Sequence, residues 1–228
     1  MPRVNLVRHG QARADQEDYD QLSELGLRQS RLLGAWLASR GLPVGDIVCG
    51  TLKRHRQTAE ACLEAWGADC KITVDSGFDE YDHREILARG RPDLADHGEL
   101  TRHLLAQAHP GRAFQEIFAA SVERWVSGEE PTEYRESWSG FRDRCFSAVR
   151  RVAATGRDVW VFTSGGPIAA ILQAVLGVDD RKAIELSWSI LNGSVTSLVG
   201  GRTGIRLFSF NGVAHLENEA DASIITGR

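Results

Sequence analysis

Three short clusters in this chain carry side chains able to do chemistry, and each follows a run that reads as a β-strand. The first is Arg8-His9-Gly10, directly after Val4-Asn5-Leu6-Val7. An imidazole works as nucleophile or proton carrier near neutral pH, a guanidinium grips an anion through parallel hydrogen bonds, and glycine lets the backbone approach a ligand. The second is Lys53-Arg54-His55-Arg56, after Asp46-Ile47-Val48-Cys49 and Gly50-Thr51. Guanidiniums at the start of a helix favour a phosphate or carboxylate, although a solvated basic helix face has the same composition. The third is Phe78-Asp79-Glu80-Tyr81-Asp82-His83, which sets three carboxyl groups beside an imidazole. A carboxyl there could protonate a leaving alkoxide; an acidic surface loop would look similar. Its spacing does not suit a metal site, so no metal is assigned.

These clusters can meet only if the strands before them run parallel. Residues 4–7, 46–49, 72–74 and 159–162 read as strands, the last wholly apolar and so expected at the centre of the sheet. Their alternation with helical patterns implies an α/β fold, a three-layer αβα sandwich with a mostly parallel sheet, whose strand ends share one crevice. Ser23 is the expected N-cap of a helix carrying Leu25, Leu32, Leu33, Trp36 and Leu37, and a second helix spans about 52–66. Gly165-Gly166-Pro167 opens another helix, with proline in its first turn. Residues 195–199 and 205–208 form a terminal hairpin, and past Asn211 a surface tail is expected. Between Gly77 and Ser137 the alternation stops and the sequence turns polar and helical, near 99–108 and 113–126. Residues 77–137 therefore read as a helical insertion, a lid over the active-site end of a single domain spanning 1–228.

Composition is that of an ordinary globular protein, 42% hydrophobic and 25% charged over 228 residues. A formal charge of −4 argues against a general nucleic-acid partner, so any positive site must be local. Cys49, Cys62, Cys70 and Cys145 lack CxxC spacing and read as buried, reduced thiols of a cytoplasmic protein. The start runs straight into a strand, and no apolar run approaches ~18 residues, so neither a signal peptide nor a membrane span is expected. His97, His103 and His109 fall in the polar insertion and are expected at the surface; the six tryptophans read as core or lid contacts.

Taken together, the clusters resemble the histidine phosphatase superfamily, the phosphoglycerate mutase-like enzymes. Leu6-Val7-Arg8-His9-Gly10-Gln11-Ala12 is similar to the family signature. Leu52-Lys53-Arg54 with Arg56-Gln57-Thr58-Ala59-Glu60 is similar to its second motif, and Phe78-Asp79-Glu80 to the segment bearing its acid. Glu136-Ser137, Gly165-Gly166-Pro167-Ile168 and Asn192-Gly193-Ser194-Val195-Thr196 continue the match. The resemblance implies that His9 attacks phosphorus and becomes a phosphohistidine, which water hydrolyses. It implies that Glu80 protonates the leaving group, and that Arg8, Arg54, Gln11, Ser164 and Gly165 bind phosphate. No cofactor is required for covalent catalysis of this kind.

The chain also departs from the family. Ser164 stands where a second pocket histidine is usual, and losing one good transition-state donor lowers rate on the order of 10²–10³. His83, or less readily His55, is the candidate to compensate. Asp15 falls where phosphate-binding members often have asparagine, and no role is carried onto it. The reading is thus a phosphomonoester hydrolase of modest activity acting on a phosphorylated small molecule, with neither nucleic acid nor membrane as partner. The alternatives are a non-catalytic phospho-ligand-binding protein on the same fold, a phosphoglycerate mutase, or a serine hydrolase using Ser164 with His215 and Asp179.

Overall fold

The computed structural model describes residues 2–13, 20–128, 133–201 and 204–227; Asp15 lies outside them. In chain order the elements are β1 (Arg3–Arg8), α1 (Glu24–Ser39), β2 (Asp46–Cys49), α2 (Lys53–Trp66), β3 (Ile72–Val74), α3 (His83–Gly90), α4 (His97–Leu105), α5 (Pro110–Ser127), α6 (Trp138–Ala153), β4 (Val159–Thr163), α7 (Gly165–Leu176), α8 (Asp180–Ser189), β5 (Val195–Gly201), β6 (Gly204–Gly212) and α9 (Ala214–Glu217). They divide into two compact units, Met1–Glu80 with Arg144–Arg228, and Tyr81–Asp143.

The first unit is built on a six-stranded sheet in the order β3-β2-β4-β1-β5-β6. β1, β2, β3 and β4 are parallel, and the hairpin β5–β6 adds antiparallel to β1. Every residue of β4 is buried, as its unbroken apolar sequence requires of a strand with neighbours on both sides. The architecture is α/β and mostly parallel, as the strand–helix alternation predicts. On one side of the sheet Leu33 and Leu37 of α1 pack with Cys62 and Trp66 of α2 against Trp160 and Phe162. α1 and α2 approach closely because Gly34 has no side chain: a Cβ there would stand 2.1 Å from Cys62 O. Ser23 caps α1 as expected, its hydroxyl accepting from Gly26 N at 3.1 Å.

The C-terminal segment departs from the expected surface tail. His215, Leu216 and Ile224 are buried. The buried amide of Gln29 donates from Nε2 to Ile224 O at 2.7 Å and Thr226 Oγ1 at 3.0 Å. A buried amide must find partners, and here the tail supplies them. Cys49, Cys62 and Cys145 are buried and Cys70 half-buried, all as free thiols. Among the described residues no helix is long and apolar enough to cross a membrane.

The second unit holds α3, α4, α5 and the start of α6. Its centre is a cluster of rings: Trp125 lies 5.1 Å from Tyr81, 5.2 Å from Trp138 and 5.7 Å from Phe141. α3 meets α5 where Gly90 leaves room for Ser121; a Cβ at Gly90 would be 2.3 Å from the Ser121 hydroxyl. His97 and His109 are exposed, as expected, while His103 is half-buried.

Candidate active site

β1 and β4 lie side by side with Arg8 opposite Thr163, so His9 and Ser164 leave the sheet at the same level. The His9 N–H donates to Thr163 O at 2.8 Å and fixes that level. On the other side of β4, Gly50 N donates to Phe162 O at 3.1 Å, which brings the loop before α2 to the same edge. The loops after β1, β2 and β4 thus converge at the carboxyl ends of neighbouring parallel strands, where α/β sheets bind ligands.

The His9 loop is held from several directions. A Cβ on Gly10 would stand 2.3 Å from Gly26 O, and one on Gly26 would stand 2.2 Å from Gln11 O. The loop therefore lies against α1 through two bare α-carbons. Gly193 N donates to Arg8 O at 3.0 Å and the Asn192 amide to His9 O at 3.2 Å. Gly193 has φ 71°, a left-handed conformation suited to glycine. This gives the Asn192-Gly193 pair a clear local task, latching the end of β1.

The His9 ring is buried, and its Nδ1 lies 2.7 Å from Gly10 O. A carbonyl only accepts, so Nδ1 carries the proton and Nε2 the lone pair. That lone pair accepts from Arg54 Nε at 3.3 Å. Burial, then the cationic Arg54 and Arg8, hold the imidazole well below its usual pKa, against a weaker opposing effect of Gly10 O. His9 is thus a neutral imidazole with its lone-pair nitrogen turned toward a guanidinium.

Arg8 and Arg54 are both buried. Arg8 Nη1 donates to Ile190 O. Arg54 Nη1 pairs with Asp20 Oδ1 at 2.9 Å, and the Asp20 carboxylate also accepts from the backbone N–H groups of Lys53 at 2.9 Å and Arg54 at 3.4 Å. Sequence reasoning missed Asp20 inside the acidic loop before α1. Its signal is at the other end of the contact: the N-cap of α2 is Leu52, which has no oxygen to offer, so the first turn must borrow one.

Glu80 is half-buried, and its Oε2 accepts from Gly166 N at 3.2 Å in the first turn of α7. A carboxylate suits the positive end of a helix. Gly165 in the same turn faces Arg8 and Ser187; a Cβ there would be 3.2 Å from Ser187 O and 3.8 Å from Arg8 Nε. Gln11 turns its side-chain oxygen to the Ser23 hydroxyl at 2.9 Å.

Ser164 is fully buried, and its Oγ lies 2.6 Å from His55 Nε2. His55 is itself fully buried, 5.8 Å from His9 between ring centres. Burial, and then Arg54, hold its pKa well below the usual value. The serine-hydrolase partners are engaged elsewhere: Asp179 caps α8 by accepting from Lys182 N at 2.8 Å, and His215 packs 6.4 Å from Trp36. His83 is the first residue of α3, in the second unit.

Comparison with curated protein sequences gives no match. Among solved structures, a phosphoserine phosphatase mutant from Entamoeba histolytica in complex with phosphoserine is similar, with a TM-score of 0.67 at 16% identity over 95% of this chain and 100% of that one. The same organism's enzyme with 3-phosphoglyceric acid gives 0.64 at 15% identity, over 95% and 100%. A mycobacterial glucosyl-3-phosphoglycerate phosphatase with inorganic phosphate gives 0.59 at 23% identity, over 94% and 99%. At such identities the likeness establishes a shared fold. The family model of the histidine phosphatase superfamily (branch 1) matches residues 4–117 and 105–212, spanning every cluster described above. The chain belongs to the histidine phosphatase superfamily.

Proposed function

We propose that the protein is a phosphoric monoester hydrolase of modest turnover that works through a phosphohistidine on His9. The observation that carries this is the state of the His9 ring, buried and neutral, with Nδ1 tied to Gly10 O and Nε2 facing Arg54. In the first step Nε2 attacks phosphorus, the N–P bond forms and the P–O bond to the alkoxide breaks. Arg8 and Arg54 hold the phosphoryl oxygens as charge gathers there. Ser164, the first turn of α7 at Gly165, and Gln11 complete the cradle. Glu80 gives a proton to the leaving alkoxide, then takes one from water as the water oxygen displaces Nε2.

The substrate is a phosphorylated small molecule. The Entamoeba structures hold phosphoserine and 3-phosphoglyceric acid, so small phosphorylated acids form the first panel to assay. Free, mostly buried thiols fit a reducing compartment, the cytoplasm. Hydrolysis of para-nitrophenyl phosphate by the wild type, lost in His9→Ala, supports the reading; activity that survives the substitution overturns it. Phosphate binding without any turnover would mark a non-catalytic phospho-ligand binder on the same fold.

A further inference from the structure

We infer that Ser164 is a catalytic hydrogen-bond donor to the phosphoryl group on His9, and that His55 is the positioning residue that aims it. The inference rests on the phosphohistidine reading above.

Ser164 occupies the end of β4 beside the His9 strand, where the resemblance places a second imidazole. The hydroxyl is shorter than an imidazole and rotates, so alone it makes a poor substitute. In this chain an imidazole is present all the same, entering from α2 rather than from β4. His55 Nε2 contacts Ser164 Oγ at 2.6 Å, and both residues are fully buried.

The remaining nitrogen decides the direction of that bond. Nδ1 of His55 has no hydrogen-bond partner among the described residues. Asp79 Oδ1 faces the same bare α-carbon of Gly50, but it is committed to Thr51 N at 2.5 Å, and Oδ2 takes the Thr51 hydroxyl at 2.7 Å. Burying an unanswered N–H is rarer than burying an unused acceptor. The single proton of the neutral ring therefore sits on Nε2 and is donated to Ser164 Oγ. The proton of the serine is then turned away from His55 and offered to a phosphoryl oxygen. No proton changes hands; the pair supplies one aimed donor in a water-poor site.

Gly50 makes room for this arrangement. A Cβ there would stand 2.3 Å from His55 Nδ1 and displace the ring.

The test combines Ser164→Ala, His55→Phe, His55→Gln and the double variant Ser164→Ala/His55→Phe, each checked for an intact thermal transition, with para-nitrophenyl phosphate as substrate. Ser164→Ala is expected to lower kcat on the order of 10²-fold with little change in KM, the mark of a bond made in the transition state. His55→Phe should match it, and the double variant should lose no more than either single one, since the two act as one unit. His55→Gln, which keeps an N–H, should recover part of the loss. A folded Ser164→Ala or His55→Phe with wild-type kcat, or losses that multiply in the double variant, would overturn the inference. Mass spectrometry of quenched wild type separates the failures. Phosphate on His9 with silent variants sinks the donor role alone, whereas phosphate on Ser164, or on neither residue, sinks the reading beneath it as well.

Discussion

Arg54 Nε donates to His9 Nε2 at 3.3 Å, so the nitrogen proposed to attack phosphorus is covered by the guanidinium proposed to receive the phosphoryl charge. A bound phosphoryl group must take over this guanidinium, and Asp20, 2.9 Å from Arg54 Nη1, keeps it from swinging away meanwhile. Arg54→Ala should lower kcat/KM at least on the order of 10²-fold. Asp20→Asn leaves the guanidinium in place without its charged partner and should cost about 10-fold, the range of one charge-assisted hydrogen bond. Steady-state kinetics of the two variants check the order; an Asp20→Asn loss as large as that of Arg54→Ala would contradict it.

His9 should stay neutral well into acid. Burial is the largest cause of its lowered pKa, with Arg54, Arg8 and His55 adding to it. A ring-resolved NMR titration should show no protonation of His9 between pH 8 and pH 6, a range over which an ordinary imidazole near 6.5 becomes about three-quarters charged. In Arg54→Gln the midpoint should rise yet remain below 6.5, because burial is untouched. A wild-type midpoint at 6.5 or above would remove the basis for a neutral nucleophile.

The same burial makes the fold acid-sensitive. His215 is held at about 4 in the folded protein by desolvation, and an unfolded imidazole titrates near 6.5. A histidine whose folded pKa is depressed binds its proton more readily when unfolded. Its stabilising contribution is complete above pH 6.5 and is lost as pH falls toward 4. By pH 5 His215 alone should cost about 2 kcal/mol of unfolding free energy, and His9 and His55 act in the same direction. Asp79, pushed up by burial, opposes them as one group against three. Denaturant titrations at pH 7 and pH 5 measure the difference; equal stability at both would refute it.

Gly10 and Gly26 set the distance between the His9 loop and α1. Gly10→Ala would bring a methyl group to 2.3 Å from backbone Gly26 O, which cannot yield as a flexible side chain can. A destabilisation of about 1–3 kcal/mol is expected, together with a fall in kcat as the loop shifts. Gly111→Ala, where a Cβ meets nothing within 4 Å, should leave both unchanged or add slightly to stability. Thermal unfolding of the pair decides; similar behaviour would contradict the packing argument.

Much of this was legible in the residues. The apolar runs that end in Arg8-His9 and at Cys49 had to run parallel in one sheet for their charged loops to meet, and β4 between them is the wholly apolar strand its sequence requires. What stayed hidden depends on pairs distant in sequence. Asp20 shows its role only once Leu52 is known to cap α2 without an oxygen. The tail reads as featureless past Asn211 because its partners, Gln29 of α1 and Asn192, lie upstream in other parts of the fold. Ser164 reads as a deficit until His55 is found 2.6 Å away. From sequence alone, Ser164→His is expected to raise turnover provided His83 does not already fill the space. With His55 filling that space, the larger ring overpacks a closed site and is now expected to lower both stability and rate.

The account stands on covalent catalysis by His9 Nε2. Rapid acid-free quenching of the wild type during turnover of a phosphomonoester, followed by peptide mapping, reads this directly. A phosphate on His9 that resists alkali and is lost in acid, and that is absent from His9→Ala, is the predicted result. Turnover at an undiminished rate in His9→Ala, or a phosphate mapped to another side chain, would contradict it.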